Sequence, residues 1–242
     1  MDDNPRKPIG SRTLLCDGAV LFRNAETAGG LVDRLQDAAD LRANGFSIRL
    51  GKLGERVVAL GIAAKSTSLV EMTDAIAHAH KPQLVVVGTL AVGLADGLAA
   101  NTVLLASGLT GKPNEQLELP TWANSACPRG PLWATNRLRS PPGIDALAAI
   151  PHDIYAAAKW CREHDIAIEI AAVITRHAAE PPPADVRQVL NQRSIAGRVG
   201  AFLGAAWRRP GSVPDLWREK ETVWIARERL ADAIEKIISP AN

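Results

Sequence analysis

The feature that most constrains this chain is the short unbroken apolar run in which valine dominates, the "LVVVG" of "PQLVVVG" at residues 82–88. A strand that faces water on one side alternates apolar and polar residues. A run without alternation fits a strand buried on both faces, which needs cover above and below. Two further runs behave alike, "RVVALGIA" and "IAIEIAAVIT". Segments with helical spacing stand between such runs. The order is strand and helix in alternation, which predicts an α/β fold with a mixed central sheet flanked by helices in three layers.

The elements read as follows along the chain. Residues 1–12 form a polar, flexible tail. "TLLCDGAVLF" suggests a strand, a turn at Asp17-Gly18 and a strand. "AETAGGLVDRLQDAADLRANG" has helical spacing through Leu31, Leu35 and Ala38, with Asn44-Gly45 as its stop. "FSIRLGKLGERVVALGIA" reads as a hairpin turning between Gly51 and Gly54. "STSLVEMTDAIAHAH" opens like a capped helix and ends before Lys81-Pro82. "TLAVGLADGLAAN" reads as a glycine-bearing loop, and "TVLLAS" as the next buried strand. The stretch from Gly108 to Gly130 is the least regular, "PLWATNRLRS" offers a strand, and "PPGIDALAAIPH" a turn with a short element. A helix over 153–164 precedes the strand "IAIEIAAVIT". A proline-rich linker then leads to two helices, around 195–207 and 214–238. In the last, Leu216, Val223 and Leu230 recur at intervals of seven, with Trp217 and Trp224 beside them and Ile234 and Ile237 below. That face is expected to be core or a subunit interface.

Composition excludes several classes. A net charge of +2 over 242 residues supplies no basic stripe for nucleic acid. Three cysteines without a CxxC spacing argue against a disulfide framework and a structural zinc site. No uninterrupted apolar run reaches about 18 residues, so no membrane span is expected. The N-terminus lacks an apolar signal core, and the expectation is a cytoplasmic protein.

Ligands of open α/β sheets sit beyond the carboxyl ends of the strands. The polar residues there are Lys65, Ser66 and Thr67 after "VVALGIA", Thr89 after "VVVG", and Thr175, Arg176 and His177 at the end of "AAVIT". His152 and Asp153 open the intervening helix. Each has a plain structural alternative. Asp153 follows Pro151 as a natural N-cap, Lys65-Ser66-Thr67 can cap a helix, and Arg176-His177 can be a solvated strand end beside Glu180. His78 and His80 stand two apart on a helix and point in different directions, and no HExxH spacing fixes two metal ligands on one face, so no metal is expected.

The stretch from "LGKLGERVVALGIAAKSTSL" through "GTLAVGLADGLAANTVLLAS" resembles the nucleoside phosphorylase superfamily of purine and uridine phosphorylases and bacterial nucleosidases. So do "LWATNRLRSP" and "AIPHDIYAAAKWCREHDIAIEIAAVITRHA", and the likeness covers about residues 46–238. It implies a single domain over 13–242 that ends in helices 195–238. It implies chemistry on the N-glycosidic bond of a nucleoside-type substrate, without metal or organic cofactor, with orthophosphate as co-substrate if the anion loop works, in a homo-oligomer. In the family a Met-Glu pair contacts the ribose, and His152 and Asp153 match those positions here. Arg176 matches the family's Asp, which protonates or hydrogen-bonds the leaving base. The expected catalytic residues are therefore Asp153 and Arg176. His152, His177, Thr89 and Thr175 would line the substrate, and Lys65, Ser66 and Thr67 would face phosphate. A phosphate-binding arginine is sought at Arg12 or Arg23. The departures count as well. Arginine stays protonated and cannot serve as a general acid, although it can stabilise charge on a leaving group. Leu90 and Val92 stand where small residues are usual. A catalytically silent ligand-binding or structural protein of the same fold is the alternative.

Overall fold

The computed structural model describes residues 15–43, 46–64, 67–112, 115–122, 126–136, 145–179 and 213–239. The strands are β1 Gly18–Phe22, β2 Gln36–Ala43, β3 Phe46–Leu53, β4 Arg56–Ala63, β5 Leu84–Gly93, β6 Val103–Thr110, β7 Gln116–Glu118, β8 Arg129–Ala134, β9 Ala148–Ile150 and β10 Ala167–His177. The helices are α1 Ala25–Val32, α2 Leu69–His80, α3 Asp153–Glu163 and α4 Val213–Ile238. Parallel and antiparallel pairs combine in one sheet with helices on both faces, as the alternation of elements predicts.

Strand β5 organises the sheet. One of its edges pairs in parallel with β10 over its whole length, from Leu84↔Ala167 to Gly93↔His177. The other edge is shared. β1 covers its first half, from Leu84↔Gly18 to Gly88↔Phe22. β9 covers its last two residues, Val92↔Ala149 and Gly93↔Ala148, and runs in the opposite direction. β10 continues to β6, β6 to β8 and β8 to β9, so these five strands close into a ring. From β1 the sheet opens outward through β4 and β3 to the edge strand β2.

The unalternating valines follow from this position. Val85 and Val87 join Ile168, Ile170, Met72 and Ile154 in the core beneath α2 and α3. Val86 joins Ala171, Val173, Leu230 and Ile234 in the core beneath α1 and α4. Both faces of β5 are dry, so both need apolar side chains. Gly88 is required where β1 and α4 crowd that second face. A Cβ there would come to 2.3 Å of Phe22 Cε1 and 2.9 Å of Ile234 Cδ1.

Three expectations change. The helix expected through Ala38 ends at Val32, and Gln36–Ala43 is a strand paired antiparallel with β3. Asp37 takes a left-handed φ of 52° at the strand's start. Asn-Gly is the strongest two-residue hairpin signal. Here it lies between Ala43 and Phe46, which pair across the two strands; residues 44–45 themselves fall outside the described set. The loop expected after "VVVG" starts later, at residue 94, since β5 continues as strand to Gly93 because β10 pairs with it throughout. "TLLCDGAVLF" supplies one described strand, with Asp17 just before it accepting a hydrogen bond from Val57 N. On α4, Leu230, Ile234 and Ile237 are core, whereas Trp217 and Trp224 are 69% and 58% exposed. The expected tail, linker and helix around 195–207 lie outside the described residues.

A buried ion pair clamps the ring. Glu169 on β10 is 1% exposed, and both its oxygens accept from the Arg129 guanidinium on β8 at 2.9 Å, across the intervening β6. Removing one partner strands the other charge. Arg129→Met is expected to cost about 3–5 kcal/mol in urea unfolding, and the double variant Arg129→Met/Glu169→Leu to recover most of that loss. Equal losses in the single and double variants would remove the clamp as the cause.

Candidate active site at the fork of β5

β1 and β9 run toward each other along the same edge of β5. Their last paired residues are Phe22, opposite Gly88, and Ala149, opposite Val92. Between them the edge at Thr89–Ala91 is left as a fork. Such points, where neighbouring strands leave in different directions, are where α/β sheets admit ligands.

Both chains place a charge at this fork. β1 leads directly into Arg23, and β9 leads through Pro151 and His152 into Asp153. Arg23 Nε lies 3.0 Å from Asp153 Oδ2. The oxygen makes no well-formed hydrogen bond, so the contact is charge pairing rather than a directed bond. Arg23 also donates from one terminal nitrogen to the Thr67 carbonyl at 2.6 Å. One guanidinium thus ties together the end of β1, the segment entering α2 and the first turn of α3. Of the residues singled out by sequence, Asp153 and Thr67 are brought together here. Sequence reasoning named Arg23 only as a candidate for a phosphate site. Its signal was its place immediately after a buried parallel strand.

The local caps differ from expectation. Asp153 is the first helical residue of α3, not its cap. The cap position is His152, whose backbone is already helical and whose side chain makes no capping bond. Its Nδ1 instead lies 3.2 Å from the Ala134 carbonyl at the end of β8. At α2 the cap is Ser68, with Glu71 completing a capping box. Thr67 is therefore not the cap residue, and it is buried. Lys65 and Ser66 lie outside the described residues.

The end of β10 lies along the other edge of β5. Its register slips between Ile174, opposite Ala91, and Arg176, opposite Val92, so Thr175 is the extra residue of a bulge. Side chains alternate along a strand, and one extra residue moves the next onto the other face. Arg176 therefore shares a face with Val92, the face of α1 and α4, while Asp153 and Thr67 belong to the side of α2 and α3. β5 stands between them. The Thr175 hydroxyl donates to the Ala91 carbonyl at 3.2 Å. Thr89 is 4% exposed and its hydroxyl donates to the Leu90 carbonyl. His177 Nε2 is 3.0 Å from the Ala95 carbonyl, and Nδ1 accepts from Ala179 N at 3.2 Å. Those partners require the neutral tautomer with its proton on Nε2.

Tyr155, which sequence reasoning passed over, lies in the first turn of α3. Its ring rests on Gly111, where a Cβ would approach three ring atoms at 3.0 Å. It is parallel to the His152 ring within 7° at a centroid distance of 6.5 Å. Burial, then the nearby Glu115 carboxylate, raises its pKa, which keeps the phenol protonated.

Thiol and metal chemistry find no support among the described residues. Burial pushes Cys16 up to about 11 and Cys161 up to about 12, so neither is a thiolate at neutral pH. No three His, Cys, Asp or Glu side chains among the described residues are grouped to hold a metal ion. Iodoacetamide at pH 8 is expected to label Cys127, the partly exposed cysteine, well ahead of the two buried ones, read by peptide mass spectrometry; early labelling of Cys161 would contradict its burial. For the fork, a double-mutant cycle on Arg23→Gln and Asp153→Asn should give a coupling of only about 0.5–1 kcal/mol, shrinking in 1 M salt. The modest size follows from the partial exposure of both side chains, 38% and 27%.

No family model matches the sequence, and no curated protein matches it. Solved structures do. The 5'-methylthioadenosine nucleosidase of Arabidopsis thaliana superposes with a TM-score of 0.64 at 13% identity, over 94% of this chain and 98% of that one. The 5'-methylthioadenosine/S-adenosylhomocysteine nucleosidase of Neisseria meningitidis, in complex with methylthio-immucillin-A, gives 0.64 at 12% identity over 91% and 97%. The futalosine hydrolase of Helicobacter pylori gives 0.63 at 10% identity over 91% and 96%. At such identities the likeness is one of fold, and it spans nearly the whole of each chain. The chain has the fold of the nucleoside phosphorylase and nucleosidase superfamily.

Proposed function

We propose that this protein binds a nucleoside-type ligand at the fork of β5 and hydrolyses its N-glycosidic bond. The observation that carries the reading is the charged cluster of Arg23, Asp153 and the Thr67 carbonyl at the strand fork of a nucleosidase fold. In hydrolysis the bond from C1′ to the base nitrogen breaks, the base departs with the electron pair, and a water oxygen bonds to C1′. The transition state carries positive charge on the sugar and negative charge on the base.

Asp153 is the group suited to the sugar. A carboxylate accepts hydrogen bonds from two hydroxyl groups and opposes the developing cation. Its partner Arg23 is partly exposed and has to yield one contact when a sugar arrives. Arg176, which the resemblance assigns to the leaving base, lies on the other face of β5 and does not reach a base whose sugar sits at Asp153. An arginine could not protonate that base in any case, so its proton comes from solvent as it departs. His177, a neutral donor at Nε2, and Thr175 support the same strand end. Thr89 reaches a ligand only by giving up its bond to the Leu90 carbonyl. With orthophosphate in place of water, Arg23, Lys65, Ser66 and Thr67 would form the anion site. We assign no metal or organic cofactor to this reaction.

A second reading has its own support. Asp153 is already paired, and the position of the family's acid holds an arginine. The same fold would then bind a nucleoside without cleaving it.

The substrates named for the structural neighbours provide the test. Release of free base from 5'-methylthioadenosine, S-adenosylhomocysteine and futalosine is measured with and without phosphate. Hydrolysis predicts release in phosphate-free buffer, with a loss of about 100-fold or more in Asp153→Ala. A rise in melting temperature without base release would establish the silent reading. Neither signal with any of the three would end the nucleoside reading.

A further inference from the structure

At the opposite end of β10 from Arg176, about 30 Å away at about 3.3 Å per residue, lies a groove of about 490 Å³. One wall is the segment after β7, with Glu118, Leu119 and Trp122; the other is the end of α3 and the start of β10, with Arg162, Asp165 and Ile166. The fork has no part in it.

The two walls are pinned together. Arg162 donates to the Glu118 carbonyl, and Leu119 N donates to the Ser107 carbonyl at 3.1 Å. Leu119 is buried and forms the apolar floor with Ile166. Arg162, the one cation among the described lining residues, is thereby engaged by a carbonyl oxygen. The carboxylates of Glu118 and Asp165 have no ion-pair partner among the described residues. The last carbonyls of α3 add the negative end of a helix dipole nearby. The balance of charge favours a cation. Trp122 stands at the same groove with 54% of its surface in water, and indole is the strongest of the aromatic partners for a cation. An apolar floor, an aromatic wall and two free carboxylates are complementary to one ligand chemistry.

We propose that this groove binds a small organic cation, an ammonium group carried on an apolar body. The ammonium lies against Trp122 and between Glu118 and Asp165, and its apolar part rests on Leu119 and Ile166. The volume is within the range of small-molecule sites. The assignment does not depend on the nucleoside reading of the fork, because the two regions share no residue.

The test uses the full chain labelled at the tryptophan indole nitrogens and titrated with choline. Its neutral isostere, 3,3-dimethyl-1-butanol, separates charge from shape. The expected result is a saturable shift of the Trp122 indole signal, assigned with Trp122→Phe, while the exposed Trp217 and Trp224 signals stay in place. The neutral analogue should bind about tenfold more weakly. Asp165→Asn, read by the same signal, and Trp122→Ala, read by calorimetry, should each weaken choline about fivefold, the size of an exposed charge or cation–π contact. Equal binding of choline and its isostere would overturn the proposal, since the groove would then be merely apolar. So would a shift shared by all exposed tryptophans, or no saturation by 20 mM. If the Asp165 variant fails to fold, salt dependence decides: binding that is indifferent to 0.5 M NaCl would also overturn it.

Discussion

The double use of one edge of β5 is the constraint on which the rest of the structure depends. A ten-residue strand pairs fully with β10 on one side, while β1 and β9 divide the other side from opposite directions. Closure of the ring through β6, β8 and β9 follows from it, because β9 must be carried round to meet β5's far end. The fork follows too, since strands running toward each other cannot both pair with the residues where they meet. Two buried faces then require the valine run, and crowding on one face requires Gly88.

Two Arg–carboxylate contacts serve different ends in this frame. Arg129 and Glu169 form a bidentate pair with the carboxylate fully enclosed, so the pair is costly to break and holds β8 to β10. Arg23 and Asp153 are both partly exposed and meet without a directed hydrogen bond. Water and salt weaken such a pair, which makes its members available to a ligand. Burial separates a structural pair from one suited to binding, although the residue types are the same.

Strands β1, β3, β4, β6, β8 and β10 and helices α2, α3 and α4 were legible because their signals are local. Ser68 and Glu71 form the capping box that the sequence pattern announces, and the unalternating run around Val86 marks a strand with two dry faces. β2 was misread because Leu31, Leu35 and Ala38 fit helical spacing, and nothing nearby says that β3 will offer them a partner. The continuation of β5 through Thr89 and Gly93 was hidden for the same reason. Its partner β10 lies some eighty residues later in sequence, and glycine with small residues reads as loop when no partner is in view. The resemblance placed Asp153 and Arg176 in one site. The bulge at Thr175, which moves Arg176 to the other face, arises from pairing and has no sequence mark of its own.

By itself the sequence determined the class of fold, the layers above and below the sheet, and the polar residues at the strand ends, because periodicity, caps and buried runs act over a few residues. Only the tertiary structure decided that Arg23 is the partner of Asp153, that Trp217 and Trp224 face water, and that β5 separates Asp153 from Arg176. Each depends on register and on which segments meet across long loops. A change of one residue in pairing reverses the face a side chain presents, and that information resides in the partner strand.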